Sequence, residues 1–218
     1  MSEPIYAFFD FDGTLVPGDS ILYWLQFYYR HRPSRLLFLI PIVPGLLLRA
    51  FHLISSHTLK RVFLWPMSFE KSAELDLLAA QFVREELKPR LRPSVMEKLR
   101  EHHAQGHHVV VISASGIFYL KYLRELLPPG CIILGTELEW GKGFFKFPIY
   151  RDGNLRGENK INRLKEIGLG GAGAGGYAYS DHHHDIPLLR FVEHPVCVGP
   201  TRHLRKLANE LGWPIWEF

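Results

Sequence analysis

Cysteine is scarce in this chain: two among 218 residues, Cys131 and Cys197, far apart and in no CxxC or Cys/His spacing. That excludes a disulfide-stapled scaffold and a structural zinc, and it fits a reducing cytoplasm. A large excess of one charge is lacking too. Lys+Arg of 26 against Asp+Glu of 22 leaves +4, with twelve histidines. So mild a balance permits anionic substrates or lipid headgroups and gives no argument for nucleic acid. Long hydrophobic runs are also missing. The longest, Leu36 to Leu48 (LLFLIPIVPGLLL), is interrupted by Pro41, Pro44 and Gly45, and a spanning helix needs ~20 apolar residues. MSEPIYAFFDFDGTL has no basic leader followed by a small-residue cleavage site, so a signal peptide is not expected. No segment repeats internally. What remains, 47% hydrophobic and 22% charged, is the composition of a folded chain. Its length points to one core plus one inserted unit.

IYAFF, from Ile5 to Phe9, is a short apolar run that ends in DFDGT, which reads as a buried strand entering a turn. Asp19 and Ser20 can cap a helix whose apolar positions (Ile21, Leu22, Trp24, Leu25, Tyr28) recur at helical spacing. Helical pattern continues, broken by prolines, to about Leu87, clearest from Glu70 onward, and nothing in this stretch looks like a strand. After Pro89 the texture changes. Arg92-Pro93-Ser94 opens a helix that Gly106 stops. Then come a strand (HVVVIS), a helix from about Ile117 to Leu127 and a strand from Cys131. A hairpin follows from Glu137 to Tyr150, with Gly141 and Gly143 at its turn. Beyond it lie a helix at Lys160, a strand ending at Tyr179, a helix near Ile186 and a last short strand, PVCVG. Alternation of this kind predicts an α/β fold, a Rossmann-like parallel sheet covered on both faces. The boundaries expected are 1–17 and 89–218 for the core, and 18–88 for an all-helical cap.

In an open α/β sheet, ligands bind at the carboxyl ends of the strands. Asp10 and Asp12, Ser113, and Asp181 with Asp185 fall on such ends, and Lys160 stands at a helix start. Gly13 permits the bend that lets both Asp10 and Asp12 face one pocket. A carboxylate can attack phosphorus to give an acyl phosphate. Its neighbour can protonate the leaving oxygen and then deprotonate water. Charge sets the remaining requirement, because a carboxylate 4 Å from a phosphate oxyanion is repelled by ~4 kcal/mol per charge pair at an effective dielectric of 20. Asp10 and Asp181 supply hard oxygen ligands suited to Mg²⁺, and Lys160 supplies a fixed ammonium. Ser113 and the backbone N–H groups beside it, at Ala114, can hold phosphate oxygens. Asp185 suits a supporting contact to the metal's waters or to Lys160.

DFDGT at Asp10, ISAS ending at Ser113 and its neighbours, Lys160, and SDHHHD from Ser180 to Asp185 resemble, in order, the four motifs of the haloacid dehalogenase (HAD)-like phosphatase superfamily. The resemblance covers essentially the whole chain. The helical segment after the first motif, the TELEW stretch and PVCVGP resemble its subfamily IB, which includes phosphoserine phosphatase. The greasy, proline-broken segment and YSDHHHDIPLLRF look most like the phosphatidylglycerophosphatase-C type. The resemblance implies Asp10 as nucleophile and metal ligand, and Asp12 as general acid/base that also lends its carbonyl to the metal. It implies Ser113, Ala114 and Lys160 on the phosphate, Asp181 on Mg²⁺ and Asp185 in support. Ser180 departs from the usual glycine, and three histidines fill the gap before Asp185. Asp12 itself points to phosphoryl transfer to water, since dehalogenating members lack this acid and pump ATPases have threonine.

Plainer readings apply elsewhere. His182, His183 and His184 are expected as loop filler at a pocket rim, because adjacent histidines in a turn cannot all face one ion. His102, His103, His107 and His108 are expected on the surface. GLGGAGAGG, from Gly168, contains GxGxxG but follows a helix and precedes a strand, so it reads as a connector and not a dinucleotide loop. Leu36 to Leu48 has two readings, cap core or an interfacial anchor to anionic lipid. Arg30, His31, Arg32 and Arg35 before it, with Arg49 and His52 after it, are the basic flanks an anchor requires, and the two readings stand level. The expectation is therefore a cytoplasmic Mg²⁺-dependent phosphomonoesterase, possible at the inner membrane face, acting on a lipid phosphate or on a small amino-acid-like phosphate. The competing class is a non-catalytic lipid- or metal-binding protein on the same scaffold.

Overall fold

Every residue of β1 (Tyr6–Phe9) after Tyr6 is buried, which requires cover on both faces of its sheet. The sheet provides it. Six strands run in the order β3-β2-β1-β6-β7-β8, all pairs parallel. They are β2 (His108–Gly116), β3 (Ile132–Thr136), β6 (Tyr177–Ser180), β7 (His194–Val198) and β8 (Ile215–Trp216). The structure, a computed structural model, describes residues 4–42, 56–141 and 147–218.

Strand periodicity sorts the side chains between two cores. Phe8, Val110 and Ala178, in register across three strands, pack with α6 (Glu158–Glu166), α7 (Ile186–Phe191) and α8 (Arg202–Leu211) through Leu164, Leu188 and Leu204. Phe9, Val111 and Tyr179 face the other way, onto Val95 and Leu99 of α4 (Pro93–Ala104) and the turn of helix α5 (Ile117–Leu120). The Rossmann-like parallel core is thus present.

Between β1 and α4 lie α1 (Ser20–His31), α2 (Ser56–Leu64) and α3 (Ser72–Phe82). No strand falls between Gly18 and Leu87 among the described residues. The Asp19 side chain caps α1, accepting the Ile21 N–H at 3.1 Å. The buried face of α1 is aromatic. Trp24 meets Phe82 of α3 edge-on (ring centroids 5.2 Å apart) and Phe118 of α5 (5.1 Å). One apolar cluster therefore runs from the inserted helices onto the sheet's own layer. Pro33–Ile42 winds as a 3₁₀ helix, and residues 43–48 of the greasy segment lie outside the described residues.

Several expectations need correction. Strand β2 passes through Ser113 to Gly116, and α5 is a single α-turn that tightens into a 3₁₀ helix over Lys121–Glu125. The hairpin exists as β4 (Leu138–Glu139) with β5 (Ile149–Tyr150), while its expected turn residue Gly143 lies outside the described residues. Helix α8 and strand β8 extend the fold beyond PVCVG, and Gly212, with φ +68°, ends α8. His102 is not a surface residue. It is 4% exposed, wedged against Phe9 and Tyr179, and its ring bonds to the Tyr179 hydroxyl and to His107, each at 2.8 Å. The glycine-rich run is a series of turns between α6 and β6. A Cβ at Gly173 would stand 1.9 Å from the Phe191 carbonyl oxygen, so close chain packing selects glycine there.

Candidate active site

The chain leaves β1 at Asp10, whose N–H donates to the Tyr179 carbonyl at 2.9 Å, the last bond before the turn. Gly13, at φ +82°, reverses the direction, and its N–H donates to Val16 at 2.7 Å. Asp10 and Asp12 thereby line one cavity of about 670 Å³ with Ser113, Ala114, Lys160, Asp181 and Asp185. The structure brings all seven residues named from the sequence to one place. That volume suits a small organic ligand.

Lys160, the third residue of α6, is 1% exposed and its ammonium sits between two carboxylates: Asp10 Oδ1 at 2.7 Å and Asp185 Oδ2 at 2.8 Å. Of the two roles open to Asp185, the geometry places it on Lys160. Burial by itself would lower the lysine's pKa, but the two carboxylates outweigh burial and hold it well above the ordinary value. Asp10 is raised well above the carboxylate range by burial, with Lys160 opposing and Asp185 and Asp181 adding to the rise. Burial also raises Asp12, against hydrogen bonds from Ser115 and Ser20. Asp181 is pushed up to about 6 by burial and then by Asp185. Four carboxylates around one ammonium leave a negative excess.

That excess is what a hard cation would relieve, and two observations fit one. Asp181 Oδ1 is buried with no hydrogen-bond partner among the described residues. A Cβ at Gly13 would lie 2.2 Å from Asp181 Oδ2, so the missing side chain is what lets that carboxylate reach the Asp10–Asp12 turn. The Asp181 backbone is itself fixed: its N–H donates to Thr14 Oγ1 at 3.1 Å and its carbonyl accepts from Thr201 at 2.8 Å. The oxygens of Asp10 and Asp181, with the Asp12 carbonyl, suit Mg²⁺ by charge and hardness.

Other side chains at the site had no distinct signal in the sequence. Ser180, noted only as a departure from glycine, donates from Oγ to Asp185 Oδ2 at 2.7 Å. Asp19 and Lys60 meet at 2.8 Å on the cavity wall, each about 40% exposed at the side chain. Arg92 lines the cavity with its guanidinium 3.7 Å above the Phe218 ring. Arg156 is exposed at the same cavity. One part of the histidine reading is corrected: the 3₁₀ turn His183–Asp185 gathers His182, His183 and His184 so that one ring nitrogen of each lies within 4.8 Å of the others, with the His182 and His184 rings stacked and His183 tilted against both. His182 and His184 line the cavity. Burial, then the neighbouring rings, brings His182 down to about 4, so its ring is neutral.

The family model described as haloacid dehalogenase-like hydrolase matches residues 7–190. The chain belongs to this family. The haloacid dehalogenase-like chain is similar along 97% of its length to a Neisseria meningitidis protein named histidinol-phosphatase, at 27% identity and covering 98% of that protein. It is 28% identical, over 97% of its length, to a Mycobacterium tuberculosis protein named a phosphoserine phosphatase, and covers 70% of it. Among solved structures, a Bordetella pertussis protein of unknown function superposes with a TM-score of 0.78 at 23% identity, 98% of each chain being covered. A phosphoserine phosphatase captured as a phospho-aspartyl intermediate analogue superposes at 0.59 and 15% identity, covering 99% of this chain and 94% of that one. Likeness at those identities establishes the fold alone. No helix among the described residues is long and apolar enough to cross a membrane.

Proposed function

We propose that this haloacid dehalogenase-like phosphatase hydrolyses a small phosphomonoester through an aspartyl-phosphate on Asp10, with Mg²⁺ as cofactor and residues 18–88 as its cap. The single observation that carries the reading is the buried Lys160 ammonium held between Asp10 and Asp185 on the wall of the cavity. It orients the Asp10 carboxylate and offers a positive charge where a phosphate must settle. Asp10 attacks phosphorus, the bond to the leaving oxygen breaks, and Asp12 gives that oxygen its proton. Water then attacks the same phosphorus, its proton passes to Asp12, and Asp10 is released as carboxylate. Ser113 and the Ala114 backbone hold phosphate oxygens. Asp10, Asp181 and the Asp12 carbonyl would hold Mg²⁺, which supplies positive charge against the phosphate oxygens when bound.

For the substrate we infer an amino-alcohol phosphate, with histidinol phosphate the first candidate and phosphoserine the second. The end-to-end likeness to the Neisseria histidinol-phosphatase supports it. The wall also carries Asp19, a partly exposed carboxylate paired with Lys60, which a ligand ammonium reaches by taking that lysine's place. The rings of His182 and His184 on the wall offer flat faces to a heteroaromatic group. A lipid phosphate draws less support. Leu36, Leu37 and Ile40 are exposed as an anchor needs, but Arg30 pairs with Glu86, and Arg32 and Arg35 with Glu70. Those paired arginines have little charge left for lipid, and Arg49 and His52 lie outside the described residues.

The test is phosphate release from histidinol phosphate, phosphoserine and a lysophosphatidic acid, with Mg²⁺ and with EDTA. Histidinol phosphate should be turned over fastest, EDTA should stop turnover, and Asp10→Asn should abolish it. Asp19→Asn should raise KM about tenfold or more while kcat changes little, the pattern of a lost binding contact. Faster cleavage of the lysophospholipid would overturn the substrate reading, and turnover by Asp10→Asn would overturn the mechanism.

A further inference from the structure

Asp12 faces the cavity on one side and a closed set of hydroxyls on the other. Its Oδ1 accepts the backbone N–H of Ser20, the first residue of α1, at 2.7 Å. Its Oδ2 accepts a hydrogen bond from Ser115 Oγ. Ser115 Oγ lies 3.0 Å from Ser20 Oγ, which lies 2.9 Å from the Tyr119 hydroxyl. Ser20 and Tyr119 are 0% exposed and Ser115 is 6% exposed, so bulk water does not compete for these bonds.

Proton counting gives the chain a direction. Once Asp12 has given up its proton and waits to take one from water it only accepts, so Ser115 must spend its one proton on Asp12; when Asp12 is the acid, the same two donors leave its proton the edge that faces the cavity. Ser115 must then accept from Ser20, and Ser20, its proton used, must accept from Tyr119. The order Tyr119 to Ser20 to Ser115 to Asp12 is the one that satisfies every hydroxyl, and each bond polarises the next. The Tyr119 ring is held in turn by Phe82 (5.3 Å) and Phe118 (4.8 Å). Each Asp12 oxygen keeps a second lone pair, so the two donors fix the carboxylate plane without using up the edge that faces the cavity.

We propose that Ser115, Ser20 and Tyr119 are positioning residues that aim Asp12 at the leaving oxygen of the substrate. The proposal rests on Asp12 being the general acid. A proton donor works only within hydrogen-bond reach of its target, and displacement of about 1 Å costs on the order of a hundredfold. The clamp also joins the inserted segment to the chemistry, because Ser20 heads α1 while Ser115 and Tyr119 belong to β2 and α5.

The experiment compares two leaving groups. 2-Aminoethyl phosphate expels an alkoxide that must be protonated as it departs, whereas 4-nitrophenyl phosphate expels a phenolate that leaves without a proton. The readout is the ratio of kcat/KM, alkyl over aryl, which reports steps up to phosphorylation of Asp10. Asp12→Asn should lower this ratio strongly, Ser115→Ala by about tenfold to a hundredfold, and Tyr119→Phe less but in the same direction. If Asp12→Asn lowers the ratio and neither Ser115→Ala nor Tyr119→Phe does, the positioning role is wrong and the acid stands. An equal loss on both substrates in the hydroxyl variants also overturns it, since that marks a folding or phosphate-binding lesion. A ratio unmoved by Asp12→Asn removes the acid reading and this proposal with it. Should Ser115→Ala fail to fold, Tyr119→Phe alone decides.

Discussion

Lys160→Met is the most informative perturbation of the site, because it deletes one charge and keeps the length of the stem. At 2.7 and 2.8 Å from two carboxylate oxygens, the ammonium gains about 6 kcal/mol of gross attraction from each at an effective dielectric of 20. Desolvation of three buried charges cancels much of this. Removal of one partner is nonetheless expected to cost about 3–5 kcal/mol, since it strands the others. For a chain of this length that is a loss of roughly 6–20 °C in Tm. The sign with pH follows from Asp10, whose folded pKa already lies above its ordinary 3.8 through burial while Lys160 holds it down. Without Lys160 it rises further. A carboxyl raised in the folded state adds stability below its unfolded pKa and loses it as pH climbs through the folded value. The deficit of Lys160→Met against the native chain should therefore be small near pH 4 and grow steadily toward pH 7. Differential scanning calorimetry in EDTA across that range measures it. An unchanged Tm at pH 7, or a deficit that does not shrink on acidification, would refute the electrostatic account of the site.

Two further outcomes are expected. Gly13→Ala forces a Cβ to 2.2 Å from Asp181 Oδ2 at a φ of +82°, a backbone cost of about 1–2 kcal/mol before any steric displacement. Its activity should require at least tenfold more Mg²⁺ in a titration, and an unshifted Mg²⁺ dependence would remove Asp181 from the metal site. His102, whose burial lowers it from 6.5 to about 4, is neutral in the folded chain. Its contribution to stability is full above pH 6.5 and fades as pH falls toward 4. Denaturant melts of His102→Gln should accordingly depend less on pH across that window than those of the native chain.

The candidate carboxylates Asp10 and Asp181 were legible because each follows a short apolar run that reads as a buried parallel strand. Asp10 and Asp181 inherit their positions from strand ends, and Gly13 marks the turn between Asp10 and the residues after it; Ser113 lies inside β2, where its register with β3 shifts between Ile112 and Gly116. Lys160 needed the order of the motifs, since a lysine near a helix start is ordinarily solvated. The Asp19–Lys60 pair was not legible: 41 residues separate its members, and nothing local makes either unusual. Ser115 and Tyr119 looked like parts of a strand and a helix, and their link to Ser20 spans 95 and 99 positions. His102 was misplaced because its helical position near a terminus suggested solvent, whereas the face it occupies turns under β1 and β6. The gathering of the His182, His183 and His184 rings depended on a 3₁₀ turn that the tract does not announce.

Sequence alone determined the sheet's parallel order of strand and helix, and which acids would stand at its carboxyl edge, because strand periodicity and turn chemistry act over a few residues. Tertiary structure alone decided which donor each of those acids would meet. Lys160 reaches Asp10 across 150 positions, and a hydrogen bond or an ion pair depends on separation in space, which chain distance does not encode.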